Sequence, residues 1–315
     1  MLRLITARLG LGLLTLFAVA AVLFFATNLL PGDVASALLG QQATPEALAA
    51  IRQSLGLDQP AWQRFLAWLW NALHGDLGTS LASRRPIAEE IAPRLGNTLF
   101  LAAFAAVIAV PVAVGLGILS AMREGGVADR LASSLSLVAI SVPEFFVGYV
   151  LVVVFSVELG WLPSLATVYS GMGLGTRIVL TTLPALTLVL VVVAHMLRMT
   201  RASILAVMSQ PYVEMAYLKG LSKPEVVLRH ALPNAAAPII AVVALNLAYL
   251  VVGVVVVEVV FVYPGIGQLM VDAVSKRDLP LVQACGLVFA AAYVGLNMLA
   301  DVLAILVNPR LRHPK

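Results

Sequence analysis

Apolar residues in this chain run in long blocks separated by short polar stretches. Six blocks stand out, at Leu9–Leu30, Thr98–Ala121, Leu131–Val157, Val179–Met199, Ala235–Val262 and Leu281–Val307. Each reaches the roughly 20 helical residues needed to cross a hydrocarbon core. The pattern predicts an all-α membrane protein with six transmembrane helices, and an even count puts both termini on one side. The first block is longer than the 7–15 residues of a secretory-signal core, and no small-residue cleavage pattern follows it. It is expected to stay as an anchor.

The segment Pro31–Gly96 between the first two blocks carries helix signals of its own. Thr44 can cap a helix with Pro45 in its first turn; Leu48, Ile51 and Leu55 recur at helical spacing, and Gly56 can close it. Asp58 and Pro60 open a second helix, whose apolar stripe is Trp62, Phe65, Leu66, Leu69 and Leu73. Trp68 and Trp70 add indoles suited to a headgroup layer. These helices can lie on the bilayer surface or dock a partner. The chain divides into residues 1–30 (amino terminus and first span), residues 31–96 (external insertion) and residues 97–315 (five-helix core), the core carrying a polar loop at about 200–234.

Composition agrees with lipid as the main solvent. Hydrophobic residues make up 61% of the 315 and charged ones 11%, against roughly a quarter charged in soluble domains; mean hydropathy is +0.99. Orientation follows from the positive charges, which favour the cytoplasm in short loops. An inward amino terminus places Arg3, Arg8, Arg123, Arg130, Arg198, Arg201, Lys219, Lys223, Arg229, Arg310, Arg312 and Lys315 inside, with only Arg177, Lys276 and Arg277 in the short outer loops. Both termini are therefore expected in the cytoplasm. The net charge of +4 is scattered over loops, so it draws no basic stripe for nucleic acid. Cys285 is the single cysteine, and His74, His195, His230 and His313 are widely separated; neither a disulfide framework nor a zinc set is expected.

The most informative polar stretch is Ser209–Pro233. Ser209 can cap a short helix with Pro211 in its first turn, and Gly220 suits a left-handed stop after Lys219. Ser222 and Glu225 make a Ser-x-x-Glu capping box for a second short helix, which Pro233 would end. Helices this short need a packing surface. Val213, Ala216 and Tyr217 offer one face, with Tyr212, Glu214, Lys219 and Lys223 around it; packing on the chain itself and docking in a partner's groove are both open.

The spacing Glu214-x-Ala216-x-x-x-Gly220, followed by Leu232-Pro233, resembles the EAA loop of permease subunits of bacterial binding-protein-dependent ABC importers. Met215 and His230 depart from that pattern. Further stretches resemble the dipeptide, oligopeptide and nickel permease group: Pro31-Gly32-Asp33, Gly75–Ser80, Arg85-Pro86-Ile87, Arg94–Leu99, Ser141–Gly148, Glu258–Gly267, Asp272–Asp278, Asp301 and Asn308-Pro309-Arg310. The resemblance implies a type I importer-like permease fold. It also implies a second homologous permease, two cytoplasmic ATPases that bind ATP and Mg, and an external solute-binding protein. Tyr212, Val213, Glu214, Ala216, Tyr217, Lys219, Gly220, Leu232 and Pro233 would couple to the ATPases. No lysine here follows a glycine, so the chain lacks the Gly-Lys of a phosphate-binding loop; no enzyme activity, cofactor or metal is expected of it.

Four ionisable residues fall in or beside apolar blocks: Glu144, His195, Glu258 and Asp301. Each needs a partner or water at membrane depth. Pro143 frees a carbonyl one turn earlier and marks a bend, so Pro143 and Glu144 are candidates for the translocation pathway and Glu258 for an outer gate. His195 is expected to bond between helices, and Asp301 to pair with a neighbour or reach the inner surface. The same acids could serve an ion-coupled secondary transporter, but neither inverted repeats nor broken helices are evident in the sequence. An intramembrane enzyme has no motif to support it.

Overall fold

The computed structural model describes residues 2–29, 44–46, 49, 53 and 58–307. Leu48, Ile51, Leu55 and Gly56 of the first external helix, the Pro31-Gly32-Asp33 stretch and Asn308-Pro309-Arg310 lie outside the described residues. The helices are α1 Leu2–Asn28, α2 Ala61–Leu73, α3 Ile87–Met122, α4 Val127–Ser141, α5 Glu144–Leu151 with a π-helical extension Val152–Glu158, and α6 Leu174–Met208. Then come α7 Pro211–Leu218, α8 Lys223–Val226 with a π-helical turn Val227–Ala231, α9 Leu232–Val252, α10 Val254–Val260, α11 Ile266–Ser275 and α12 Leu279–Val307.

Five runs are long and apolar enough to span: Ile5–Asn28, Ile87–Met122, Leu174–Met208, Lys223–Val260 and Leu279–Leu303. The third sequence block is instead two helices, α4 and α5, meeting at 104°. Pro143 is the cause. It bars the helical region to the residue before it, and Val142 is extended at φ −93°, ψ 130°.

Packing shows that this bent pair is nevertheless one crossing. Arg177, near the start of α6, donates to Asn97 near the start of α3 at 3.0 Å. At the far end Ala121 of α3 shares a buried cluster with Ile204 of α6. The two helices therefore run parallel, and the chain between them must return across the full thickness. Helix α1 runs antiparallel to α12, tied by Arg8–Asp301 at one end (3.1 Å) and Gln283–Thr27 at the other (2.7 Å). The start of α12 packs with Ile87 and Ile91 at the start of α3. Arg8 and Asp301 thus lie on the face from which α7 hangs, as six crossings require.

The axis of the bundle is the α3–α6 contact. Ala102, Ala105, Ala109, Ala113 and Gly117 of α3 are buried, recur every three or four residues, and meet Leu183, Leu188, Val192 and Met196 of α6. Lipid provides no hydrophobic drive for helices to associate, so close backbone approach through small residues provides the attraction. Helix α3 runs about 54 Å at 1.5 Å per residue, well beyond one bilayer core. Its first turns, assigned from sequence to the external insertion, are continuous with the span and bury Ile87 and Ile91 against Ile266 and Leu269 of α11.

The stripe expected on α2 is divided. Phe65 turns inward against Phe24 and Phe17 of α1, with ring centroids 5.5 and 5.7 Å away, and Trp68 and Leu69 join that side. Trp62, Leu66, Trp70 and Leu73 stay exposed.

A side chain at Gly117 would place its Cβ 2.7 Å from Thr200 Cβ and 3.0 Å from the Leu197 carbonyl, whereas Gly115 has nothing within 4 Å. Gly117→Val is expected to lower the apparent Tm in detergent, reflecting an overpacking cost of about 1–3 kcal/mol; Gly115→Ala should melt close to the parent. Equal melting of the two variants would refute the close-packed seam.

Candidate coupling and translocation sites

The polar stub between α6 and α9 is built from local rules, though not all of those expected. Pro211 occupies the first turn of α7, but Gln210 is the N-cap residue. Ser209 instead closes α6, its hydroxyl donating to the Ala206 carbonyl at 3.0 Å. At the other end Leu221 N–H bonds the Ala216 carbonyl (3.3 Å) and Gly220 N–H bonds the Tyr217 carbonyl (2.8 Å), with Gly220 at φ 83°. That is the paired Schellman closure, and it uses the left-handed backbone that only glycine adopts without strain.

The capping box does not form. Ser222 is the N-cap residue of α8 without a side-chain capping bond. Pro224 removes one of the N–H groups such a cap would reach, and Glu225 is drawn to Arg229 one turn on at 2.7 Å. Pro233 does not end the second helix either. The path from Lys223 to Val260 reads as one helical span, because the wider π turn at Val227–Ala231 makes room for a proline ring that an α-turn would reject. Leu232 and Pro233 are therefore the first residues of α9, and α8 is physically the end of that span.

The face expected to dock is also divided. Val213 and Ala216 are buried, packed with Val226 against Val207, Met208 and Leu221 of the same chain. Exposed instead are Tyr212, Glu214, Met215, Tyr217, Leu218, Lys219 and Gly220. Met215 at 54% and Leu218 at 75% are apolar side chains left uncovered on a water-facing element.

A partly buried ion pair that the sequence reading missed holds the neighbouring corner. Arg201 of α6 grips Asp129 of α4 through Nε at 2.6 Å and Nη2 at 2.8 Å. Ser120 Oγ and the Gly125 N–H (2.9 Å) also donate to Asp129. Three elements thus meet at one carboxylate beside the stub. Lys223 reaches Glu124 of the adjoining loop at 3.9 Å. An Asp in the first turn after a Gly-Gly loop, together with Arg198 and Arg201 late in the span that follows, was the available signal.

At the opposite face Glu258 is fully buried. Thr98 Oγ1 donates to it at 2.6 Å, and the N–H groups of Gly267 and Gln268 do so at 2.7 and 3.1 Å. The carboxylate thereby caps the start of α11, where the helix dipole favours negative charge. Gly265 and Gly267 are required there, since a Cβ on either would collide with the carboxylate. Asn97 adds a bond to the Pro264 carbonyl (2.9 Å) and accepts one from Tyr263 Oη on its own carbonyl (2.7 Å). Glu258 ties α3, α10 and α11 together at the face opposite α7.

Glu144 stands differently. It opens α5 at the bend and faces a cavity of about 700 Å³ lined by the α4–α5 junction, by Val191, His195 and Met199 of α6, by Leu245, Asn246 and Tyr249 of α9 and by Tyr293 of α12. Tyr249 Oη lies 3.5 Å from Glu144 Oε2, and Glu144 Oε1 is buried with no hydrogen-bond partner. His195, expected to bond between helices, is exposed on this wall. Asp301 is not in the cavity; it pairs with Arg8. Among the described residues no group of three or more His, Cys, Asp or Glu could hold a metal ion.

Residues 113–313 match the family described as "Binding-protein-dependent transport system inner membrane component" and residues 1–102 match "Binding-prot-dependent transport system membrane comp, N-term". The chain is 41% identical over 304 residues to the "Glutathione transport system permease protein GsiC" of Escherichia coli (strain K12), covering 96% of this chain and 97% of that protein. The GsiC protein of Shigella dysenteriae serotype 1 (strain Sd197) is similar to the same extent. Among solved structures, a chain of the MetNI methionine ABC transporter in an inward-facing conformation shares the fold, with a TM-score of 0.50 and 17% identity over 68% of this chain and 93% of that one.

Breaking the Asp129–Arg201 pair from one side leaves a buried carboxylate with Ser120 and Gly125 as its remaining donors. Arg201→Ala is expected to destabilise the bundle by about 1–3 kcal/mol, read as a drop in apparent Tm. Pairing Arg201→Leu with Asp129→Asn should recover much of the loss. A double variant no more stable than Arg201→Ala would show that the pair is not what holds this corner.

Proposed function

The chain belongs to the family of binding-protein-dependent transport system inner membrane components, and on that premise we propose how its two sites divide the work of import. The protein is a multi-pass inner-membrane permease subunit of an ABC importer of the peptide and nickel group. The face carrying α7, Arg8 and Asp301 is the cytoplasmic one, in keeping with the basic residues there. Two ATPase subunits that hold ATP and Mg dock on this face, a second homologous permease completes the pathway, and a solute-binding protein delivers cargo to the opposite face, toward which residues 31–96 contribute. The cargo is a peptide or a glutathione-like solute.

The observation that carries the coupling role is mechanical. Helix α7 hangs from the end of α6 by a tight turn, is locked by the Gly220 closure, and rests through Val213 and Ala216 on α8, which is continuous with α9. A push on the exposed face of α7 is therefore delivered to two spans at once. In this reading Tyr212, Glu214, Met215, Tyr217, Leu218 and Lys219 touch the ATPase. Val213, Ala216, Gly220, Leu232 and Pro233 transmit the load. ATP binding drives the switch only by favouring one of two packed arrangements.

The pathway runs past Pro143 and Glu144. Glu144, His195, Asn246 and Tyr249 sit near the middles of their spans on an accessible wall, and such a polar set faces water or protein in place of lipid. Glu258 anchors the outer end against which a gate closes.

The double variant Met215→Glu with Leu218→Glu should insert and melt like the parent while ATPase subunits no longer co-purify. ATP-driven uptake should fall at least about tenfold, as when central anchors of an interface are lost. Gly220→Pro, which cannot adopt φ 83°, should likewise uncouple transport. Intact ATP-dependent uptake in both variants would remove the basis for this coupling role.

A further inference from the structure

We infer that Glu144 is the point in the membrane cavity where the positively charged amino group of the cargo is recognised. The inference rests on the reading of this cavity as the pathway and adds the chemistry that the pathway selects. Every other buried acid among the described residues has its donors within the chain. Asp129 has Arg201, Ser120 and Gly125; Glu258 has Thr98, Gly267 and Gln268; Asp278 has Ser80, Ala82 and Leu281. Glu144 alone keeps a buried oxygen without a donor, with only the long Tyr249 contact on the other. The other buried side-chain atoms without a partner, on Arg64, Arg94, Arg177 and Thr200, are guanidinium donors or a hydroxyl and lie outside this cavity; an unmatched carboxylate oxygen facing a cavity is suited to a donor from outside the chain.

The cavity wall specifies which donor. No Lys or Arg lines it, Glu144 is its only acidic residue, and His195 is its one imidazole. Asn246 uses its amide N–H on the Val242 carbonyl at 2.8 Å, which leaves its amide oxygen as an acceptor. The Tyr249 and Tyr293 hydroxyls and rings add further acceptors and faces that attract a cation. One carboxylate with amide, hydroxyl and imidazole acceptors about it suits an ammonium group, which carries three N–H donors and no acceptor. The absence of a three-ligand metal set among the described residues disfavours a metal ion. A volume of about 700 Å³ falls within the roughly 300–1,000 Å³ of small-ligand pockets, room for a short peptide.

The test uses the complete transporter in proteoliposomes, with both permeases, the ATPases and the binding protein. The probe is an equimolar mixture of dipeptides and tripeptides with free amino termini, quantified by mass spectrometry beside ATP hydrolysis. Glu144→Gln is expected to lower uptake about tenfold or more, the loss of a charge-assisted hydrogen bond, and to raise the ATP hydrolysed per peptide moved. Glu144→Asp should restore most of the uptake. Glu144→Cys should react with membrane-impermeant thiol reagents, since the native Cys285 is buried. If Glu144→Cys is not labelled, the cavity is not the pathway and the underlying reading fails. If it is labelled, three results each overturn the amino-group inference: wild-type uptake by Glu144→Gln, no uptake of the mixture by the parent, or loss of the second permease from Glu144→Gln complexes. The last would assign the missing donor to that subunit.

Discussion

The cost of leaving a polar group unsatisfied in hydrocarbon organises this molecule. Where the described chain carries a fully buried acid, it surrounds that acid with donors drawn from distant elements. Asp129 gathers α3, α4 and α6 at the end that carries α7, and Glu258 gathers α3, α10 and α11 at the opposite end. Gln283 and Thr27 join α12 to α1 in the same way. These bonds do not supply the bulk of the packing, which comes from the small-residue seam of α3 against α6. They select one register for that packing, because any slip would strand a buried charge.

The same constraint separates scaffold from working parts. Two corners are saturated with internal partners and act as fixed points. Between them lie a bent helix pair broken at Pro143 and a cavity whose carboxylate is incompletely matched. The proposed pathway uses both: rigid blocks that move together, and a place where solvation is left for a passing solute to complete. The bend also exposes the start of α5 to the cavity, which a straight span would bury within its own backbone bonds.

The coupling proposed for α7 rests on helix termini. Helix α7 is too short to persist by itself, yet the Schellman closure at Gly220 and the buried Val213 and Ala216 hold it against α8. The π turn then carries α8 through Pro233 into α9 without a joint. Val262, at φ 51° beyond the outer end of α10, holds a left-handed backbone that a β-branched residue rarely adopts. The same helical path is thus tightly constrained at both faces.

Much of this was legible along the chain, for reasons that are local. Hydropathy blocks specify crossings because each block meets lipid by itself, and Gly220 specifies a stop because the required φ is a property of one residue. The motif around Glu214 pointed to the family because its spacing is written consecutively. What the tertiary structure alone decided depends on residues remote in sequence. Which face of α7 is free was set by Val226 and Met208, and the capping box at Ser222 lost to Pro224 and Arg229. Glu258 proved an anchor because Thr98, 160 positions away, reaches it. Periodicity and capping rules describe a segment's own preferences; the partner of a buried charge is fixed only when the whole bundle closes around it.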